Sequence, residues 1–454
     1  MRKTINPQPK LRERWLELEH ARELEAISSM LDAHPKINEL VLQDLMASSP
    51  STRHDVGCGG MSAEQVLRAT LVKQLNQFTY RELAFHLADS RSYRTFCRLG
   101  IMEETPSKST LAANIKALKF ETLEKINREL VSVAEKTAIE KGRKVRVDCT
   151  VVESNIHSPA DSELLYDCVR VLTRLMCRAR DLLGTVVVFG NRTRRAKRRR
   201  LGVLNARDKE QRRRVYRDLL KVSEETYRSA QRVAKQLEES SLTEPVKRAS
   251  AQRFAADFKH FLVLTEKVIN QTRRRVIDEE RVPAEEKVVS IFEEHTDIIR
   301  KDRRETLYGH KVCLTGGSSS MILDCVILHG NPADSTLAET MTDRQIEIYG
   351  QAPRQVAYDG AFSSKANLEA IKGKGVEDVA FTKAHFAVTD MVKSSWVYQR
   401  LRRFRCGIEG VISFLKRVFG LDRCTWRSLP SFKSYVWSSI ITCNLLVMAR
   451  HLIR

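Results

Sequence analysis

Apolar residues recur every three or four positions through the first third of the chain, and this spacing predicts helices throughout residues 1–135. Within this region, residues 105–118 begin with turn and capping residues and then place apolar side chains on one face of a short helix. The polar side chains expected on its exposed face are Lys108, Ser109, Thr110, Asn114 and Lys116. Such a face suits a helix-turn-helix DNA reader, and it suits an ordinary helical packing module equally well.

The period changes at residue 144, where alternating β-branched residues in KVRVDCTVV predict a strand. Strand signals resume after residue 288 and alternate with helical ones. The predicted later elements are a strand pair joined by a Gly/Ser turn (309–317 and 320–330), a helix (331–350), a strand ending at Asp359, a helix (364–375), a strand (376–383) and a helix (404–420). This order predicts a mixed α/β sheet with helices on its faces.

Residues 165–285 return to helical spacing and are rich in arginine. The segment NRTRRAKRRRLG (191–202) carries seven cations within the nine residues Arg192–Arg200. Because a charge run of this kind is most often solvated, we expect a flexible stretch around 185–205 inside a helical hairpin. Phosphate contacts by Arg194, Arg195 and Lys197 are a further expectation, although the signal is unspecific.

These patterns suggest a division of the chain into four parts. The expected parts are a helical N-terminal DNA-binding domain (1–135), the first part of a catalytic domain (140–165), an arginine-rich helical insertion (166–287), and the remainder of the catalytic domain with a C-terminal helix (288–454).

The charge balance indicates the class of partner. The chain has 78 Lys and Arg against 57 Asp and Glu, a formal net charge of +21, which favours a polyanion and above all a nucleic acid over a membrane surface. The ten cysteines include no C-x-x-C pair, so zinc ribbons and disulfide frameworks find no support. The longest apolar run, Tyr435–Ala449, is short for a bilayer span and contains polar residues, so we expect a buried helix and a soluble, cytoplasmic protein without a membrane partner.

Three acidic residues occupy positions that suit metal chemistry. Asp148 lies in the first predicted strand, Asp359 ends a later one, and Glu409 lies on the helix 404–420 beside its apolar stripe. If the strands take the order of a ribonuclease-H-like sheet, the two aspartates converge and the helix can bring the glutamate to them. Each acid taken alone is more often a cap or a surface residue, but together, in so basic a chain, they favour catalysis.

Three carboxylates around one point repel each other unless divalent cations neutralise them. Hard oxygen ligands favour Mg²⁺, for which Mn²⁺ can substitute. We therefore expect two ions bound by Asp148, Asp359 and Glu409, an arrangement that cleaves phosphodiesters.

At this point the sequence resembles the DDE transposases of bacterial insertion sequences. Residues 145–167 (VRVDCTVVESNIHSPADSELLYD) resemble the family's first-aspartate block, and residues 356–364 (VAYDGAFSS) resemble its second. Residues 62–100 resemble the N-terminal helical domain common in these proteins. The resemblance implies a ribonuclease-H-like catalytic domain interrupted by the helical insertion and preceded by an all-α DNA-binding domain.

The helix 404–420 resembles the tyrosine–arginine–glutamate–lysine signature of the family. Arg405, Glu409 and Lys416 have its spacing, whereas Arg402 stands at the position of the tyrosine and Tyr398 is out of register. The resemblance implies that Arg405 and Lys416 hold phosphates of the transposon end, with Arg402 as a further DNA contact. The alternative is that the two cations merely pair with Glu409 along the helix.

The leading interpretation is therefore a transposase that binds the terminal inverted repeats of its element, cleaves, and transfers strands into target DNA. It would act on double-stranded DNA as a homodimer or larger oligomer, near the bacterial nucleoid. Two alternatives remain open: a metal-dependent nuclease of the same fold, and a non-catalytic, domesticated DNA-binding protein.

Overall fold

The computed structural model describes Thr4 and residues 18–48, 60–100, 102–240, 242–301, 305–382 and 386–453. Parts of the helical region predicted over 1–135, and Lys383 at the end of the last predicted strand, lie outside the described residues. The chain divides into two compact units. The first combines Met1–Asn155 with Ile299–Arg454, and the second is Ile156–Ile298.

The described chain before the first strand is helical, as its spacing predicts. Its helices are α1 (Glu19–Ala33), α2 (Lys36–Ala47), α3 (Ala63–Leu75), α4 (Tyr80–Asp89), α5 (Arg91–Phe96), α6 (Lys108–Lys116) and α7 (Phe120–Lys136). Helices α3 and α4 begin with capping boxes, in which Ser62 and Thr79 accept from the backbone N–H three residues on. Local sequence thus sets these helix starts.

Helix α6 confirms the prediction for residues 105–118, with one correction. Ser107 caps it, and Leu111 and Ile115 are buried. Asn114, expected on the exposed face, is buried and donates to the carbonyl of Thr110. Residues 97–107 separate α5 from α6, far longer than the turn of about three to four residues in a helix-turn-helix, so α5 and α6 do not form that motif.

The sheet of the first unit is mixed. Its strands are β1 (Lys144–Glu153), β2 (Asp297–Lys301), β3 (Glu305–Gly316), β4 (Ile322–Ile327), β5 (Gln355–Tyr358) and β6 (Asp378–Phe381). The order is β2-β3-β1-β5-β6, with β4 also paired to β3. Strand β1 is antiparallel to β3 and parallel to β5, and β5 is parallel to β6. The predicted hairpin of β3 and β4 is confirmed.

Helices connect and cover these strands. The remaining helices of the first unit are α12 (Ala338–Tyr349), α13 (Lys365–Gly373), α14 (Val388–Met391), α15 (Ser395–Phe419) and α16 (Leu429–Ile453). Helix α12 ends at Gly350, whose φ of 68° is the left-handed conformation that glycine adopts freely. Helix α15 packs against β1, β5 and β6.

Helix α16 contains the apolar run Tyr435–Ala449, and the burial of most of that run confirms the prediction of a buried helix. By length and composition it could cross a membrane, but 72% of its apolar window is buried inside the protein. It packs on α1, α3 and α7, and the Asn444 side chain donates to Asn127 and accepts from the N–H of Ile322 on β4. The N-terminal helices and the sheet therefore share one hydrophobic core through α16.

The second unit is a helical bundle. It consists of α8 (Asp161–Leu183), α9 (Thr193–Leu204), α10 (Lys209–Glu238) and α11 (Pro245–Thr272). Leucine, valine and aromatic side chains of α8, α10 and α11, among them Leu172, Leu219 and Phe258, form its core.

The expectation of a flexible stretch around 185–205 is wrong for residues 193–204, which form α9. Only Ala196 and Val203 of this helix are buried, so its sequence shows almost no apolar face. Ion pairs to neighbouring helices supply the missing anchorage: Arg195 and Arg199 contact Asp218 of α10, and Arg200 contacts Glu163 of α8. These partners are distant in sequence, which is why local spacing predicts a loop.

Candidate active site

Two aspartates meet where neighbouring parallel strands lie side by side. Val147 of β1 pairs with Tyr358 of β5, so Asp148 and Asp359, the next residue on each strand path, lie at corresponding positions. Asp148 is 17% exposed and accepts from the backbone N–H of Cys149 at 2.8 Å. Asp359 is 40% exposed, and the hydroxyl of Thr382 donates to it at 2.9 Å. Thr382 follows β6, and nothing in its local sequence indicates this role.

Helix α15 approaches β1 closely enough to carry side chains to these aspartates. The buried Arg146 of β1 donates to the carbonyl of Phe404 at 2.9 Å and lies over the ring of Phe404. A Cβ at Gly407 would overlap the Arg146 guanidinium, so glycine is what permits this close contact. Arg146, absent from the sequence-based site, thus fixes the helix that bears Arg405 and Glu409.

Arg405 contacts all three carboxylates. Its Nη1 lies 3.2 Å from Asp148 Oδ2 and 3.5 Å from Asp359 Oδ1, and its Nη2 lies 2.6 Å from Glu409 Oε1. The sequence-based alternative of a helical pair with Glu409 is therefore part of the observed arrangement, but it omits both aspartates. The expected placement of Arg405 toward a DNA phosphate is not what the free protein shows.

The charges of the site act on one another. Burial raises the pKa of the Asp148 carboxyl, while the positive charge of Arg405 and the N–H of Cys149 oppose that rise. Burial lowers the pKa of the Arg405 guanidinium, but the charges of the three carboxylates outweigh this effect and the net shift is upward. One arginine faces three acidic groups, so the cluster retains a negative charge that favours further cations.

The donor set fits a divalent metal ion. It consists of carboxylate oxygens, the ligands that Mg²⁺ and Mn²⁺ prefer. Asp148 and Asp359 each direct an oxygen at the same Arg405 nitrogen, so both already converge on one cationic group. Glu409 is 60% exposed, which leaves its side chain free to turn toward an ion.

A second group of potential metal ligands lies in the helical bundle. Within the described residues, His157, Glu163 and Asp167 place their ligand atoms within 4.8 Å of one another. Arginines already neutralise its two carboxylates: Arg200 pairs with Glu163, and Arg170 donates to Asp167 at 2.6 Å. Both carboxylates of this group thus have arginine partners, as the three carboxylates around Arg405 do.

Among the described residues, the other cations of the expected DNA surface on α15 form no ion pair with the three carboxylates. Lys416 pairs with Asp422 at 3.1 Å rather than with Glu409. Arg402 is exposed three residues before Arg405, and the Tyr398 hydroxyl donates to the carbonyl of Phe381, the residue before Thr382.

The expected contacts on α6 and α9 differ in their availability. Lys108 is exposed at the start of α6, whereas the Ser109 hydroxyl is hydrogen-bonded to Ser107 at 2.8 Å. On α9, Arg194 and Lys197 are exposed and have no ion-pair partner among the described residues. Arg195 differs, because it pairs with Asp218.

Two parts of the chain match family models. Residues 269–445 match the family described as Transposase DDE domain, and residues 12–117 match the one described as Transposase domain (DUF772). Together the matches span more than half of the chain. No curated protein and no solved structure matches the chain. Asp359, Arg405 and Glu409 lie inside the first match, while Asp148 lies outside both.

Proposed function

This chain belongs to the DDE transposases of insertion sequences, and from that premise we propose that Asp148, Asp359 and Glu409 are its catalytic carboxylates. In this proposal the protein binds the terminal inverted repeats of its element, cleaves there, and joins the ends to target DNA. The observation that carries the assignment is the convergence of all three carboxylates on the single guanidinium of Arg405.

The sheet supports a ribonuclease-H-like catalytic domain. Strand β1 lies centrally, with antiparallel β3 and then β4 on one side and parallel β5 and β6 on the other. Asp148 is borne by the central strand and Asp359 follows its parallel neighbour. This arrangement brings together acidic residues more than 200 positions apart in the chain.

DDE transposases depend on metal, and we propose two Mg²⁺ ions, replaceable by Mn²⁺, which when bound activate a water or a 3′-hydroxyl and stabilise the leaving oxygen. The three carboxylates that would bind the ions are held by the protein in different ways. Asp148 is rigid, being largely buried and bound to the N–H of Cys149. Asp359 is oriented by Thr382, and Glu409 projects from α15 into solvent, where it can adapt to the bound strand.

We propose that exposed cations on α15 and α6 hold DNA phosphates. Lys416 and Arg402 on α15 and Lys108 on α6 are the candidates within the first unit, with Ser109 as a weaker one because its hydroxyl already serves the helix cap. The DNA would be double-stranded element ends and target DNA, bound by a homodimer or larger oligomer in the bacterial cytoplasm.

The exposed face of α9 is a further DNA contact in this proposal. Arg194, Lys197 and Arg198 are exposed, and Lys197 and Arg198 follow Arg194 by three and four residues, so all three lie on one face of the helix. Replacing all three by glutamine should weaken DNA binding and flatten the log–log dependence of affinity on salt by about two to three, since each lost phosphate contact reduces this slope by roughly 0.9. Fluorescence anisotropy with duplex DNA, repeated from about 50 to 300 mM salt, measures both the affinity and its salt slope.

A charge-matched variant of the same helical bundle provides the control. Lys209, Lys235 and Lys247 are also exposed, but each is paired with a glutamate. Their triple replacement by glutamine should leave the salt slope within about one of the wild-type value. Equal slopes in the two triple variants would remove α9 from the DNA surface.

The test of the function is a strand-transfer assay. The full chain is incubated with duplexes carrying its own element ends, a target plasmid and Mg²⁺, and both cleaved and joined products are resolved. We expect both products. Cleavage without joining would favour the nuclease alternative, and a gel shift without cleavage would favour a non-catalytic DNA-binding protein.

A further inference from the structure

Resting on the function proposed above, we propose that Arg405 is an exchangeable counter-ion of the metal site: it holds the three carboxylates together in the metal-free protein and leaves when metal binds. The proposal makes Arg405 a positioning residue of the resting site rather than a fixed phosphate ligand.

The first observation is where the guanidinium lies. Arg405 is 12% exposed and is the shared partner of Asp148, Asp359 and Glu409. Nη1 alone reaches an oxygen of each aspartate, at 3.2 and 3.5 Å. Asp148 and Asp359 would also supply ligands to a metal ion, so the ion would compete with Nη1 for the same carboxylates.

The second observation is that the present position of Arg405 leaves one of its donors unused. Its Nε is buried and has no hydrogen-bond partner within the part of the chain that the structure describes. An unpaired buried donor is energetically unfavourable, so moving Arg405 out of the cluster requires less free energy than it would if all of its donors were hydrogen-bonded. The resting arrangement is thus held by charge and not by complete hydrogen bonding.

The difference in charge determines whether the guanidinium or a divalent ion occupies the carboxylate cluster. Without metal, three carboxylates would stand close together without compensation, and the guanidinium offsets part of that repulsion. A divalent ion carries twice the charge and binds carboxylate oxygens at shorter distance than a guanidinium can. It therefore displaces the arginine once its concentration is sufficient, and the displacement weakens the apparent metal affinity of the free protein.

A DNA phosphate is a suitable partner for the Arg405 side chain once it leaves the carboxylates. A guanidinium binds phosphate through two parallel hydrogen bonds, and Arg405 projects from the helix that also bears Arg402 and Lys416. A DNA backbone at the site would accept the arginine as metal enters. In this way DNA binding would promote metal binding, and the free protein would hold little metal.

Metal titration of the full chain without DNA tests the proposal directly. Free Mn²⁺ is followed by electron paramagnetic resonance in wild type, Arg405→Gln and the control Arg403→Gln. Arg403 is an exposed arginine on the same helix with no ion-pair partner among the described residues. Removing a unit positive charge about 3–4 Å from the ligand oxygens should tighten Mn²⁺ binding in Arg405→Gln at least tenfold, with no change in Arg403→Gln.

Thermal melting gives a second readout that does not depend on activity. In EDTA, Arg405→Gln should melt below Arg403→Gln, because three carboxylates lose their counter-ion. Added Mn²⁺ should raise the melting temperature of Arg405→Gln more than that of wild type.

The outcomes separate this inference from the proposed function. Unchanged or weaker Mn²⁺ binding in Arg405→Gln, with wild-type binding that Asp148→Asn abolishes, overturns the exchange role alone. Absence of Mn²⁺ binding in wild type and in Arg405→Gln, with strand transfer of element ends intact, overturns the exchange role alone. Absence of both Mn²⁺ binding and strand transfer overturns the exchange and the proposed function together.

Discussion

Replacing Asp148 by asparagine should reduce cleavage of element ends by about a thousandfold or more while binding of the ends survives. The change keeps the side-chain shape but removes the charge of a largely buried carboxylate that we propose as a metal ligand. Loss of metal stabilisation worth about 4 kcal/mol in the transition state corresponds to such a factor. Affinity for DNA comes mainly from phosphate contacts elsewhere and should change little. Asp359→Asn and Glu409→Gln should behave alike.

The measurement is a single-turnover cleavage assay alongside a gel shift with the same duplex. Asp343→Asn is the matched control, because Asp343 is an exposed carboxylate that pairs with Lys374 on the surface of α12 and should tolerate the change. Cleavage at the wild-type rate in Asp148→Asn would exclude that residue from the site. Because Asp148 lies outside both family matches, this variant tests the geometric assignment most severely.

Replacing Arg344 by glutamine should destabilise the first unit by about 3 kcal/mol. Arg344 of α12 contacts both oxygens of Asp324 on β4 and donates to Glu124 of α7 at 2.8 Å. Asp324 is only 1% exposed, so losing its partner leaves a buried carboxylate without compensation. Urea unfolding followed by circular dichroism measures the loss.

A surface pair of the same chemistry provides the comparison. Arg354 and Glu377 lie 3.2 Å apart and are both about half exposed, so Arg354→Gln should cost less than about 1 kcal/mol. The double replacement of Arg344 and Asp324 by leucine should recover much of the lost stability, since a buried ion pair can be exchanged for apolar packing. Equal losses in Arg344→Gln and Arg354→Gln would contradict the buried-charge explanation.

The sequence by itself determined the local elements. Spacing and capping residues predicted the helices α3, α4 and α6, the strand bearing Asp148 and the buried helix α16, because these features act within a few residues of chain. It also predicted the three acidic candidates, since a carboxylate at a strand end or beside an apolar stripe is visible locally. The net charge of +21 indicated a polyanion partner without any fold.

Tertiary structure decided how these elements meet. The sequence showed almost no apolar face for α9, and besides the buried Ala196 and Val203 the helix is held by ion pairs to Asp218 and Glu163 on other helices. The helical bundle lies between Asp148 and Asp359 in the sequence. The pairing of β1 with β5 brings the two residues together in the folded protein. The contacts of Arg405 with three carboxylates depend on α15 packing against both strands, which Gly407 permits beside Arg146. Each of these is a contact between distant segments, and local periodicity carries no information about such partners.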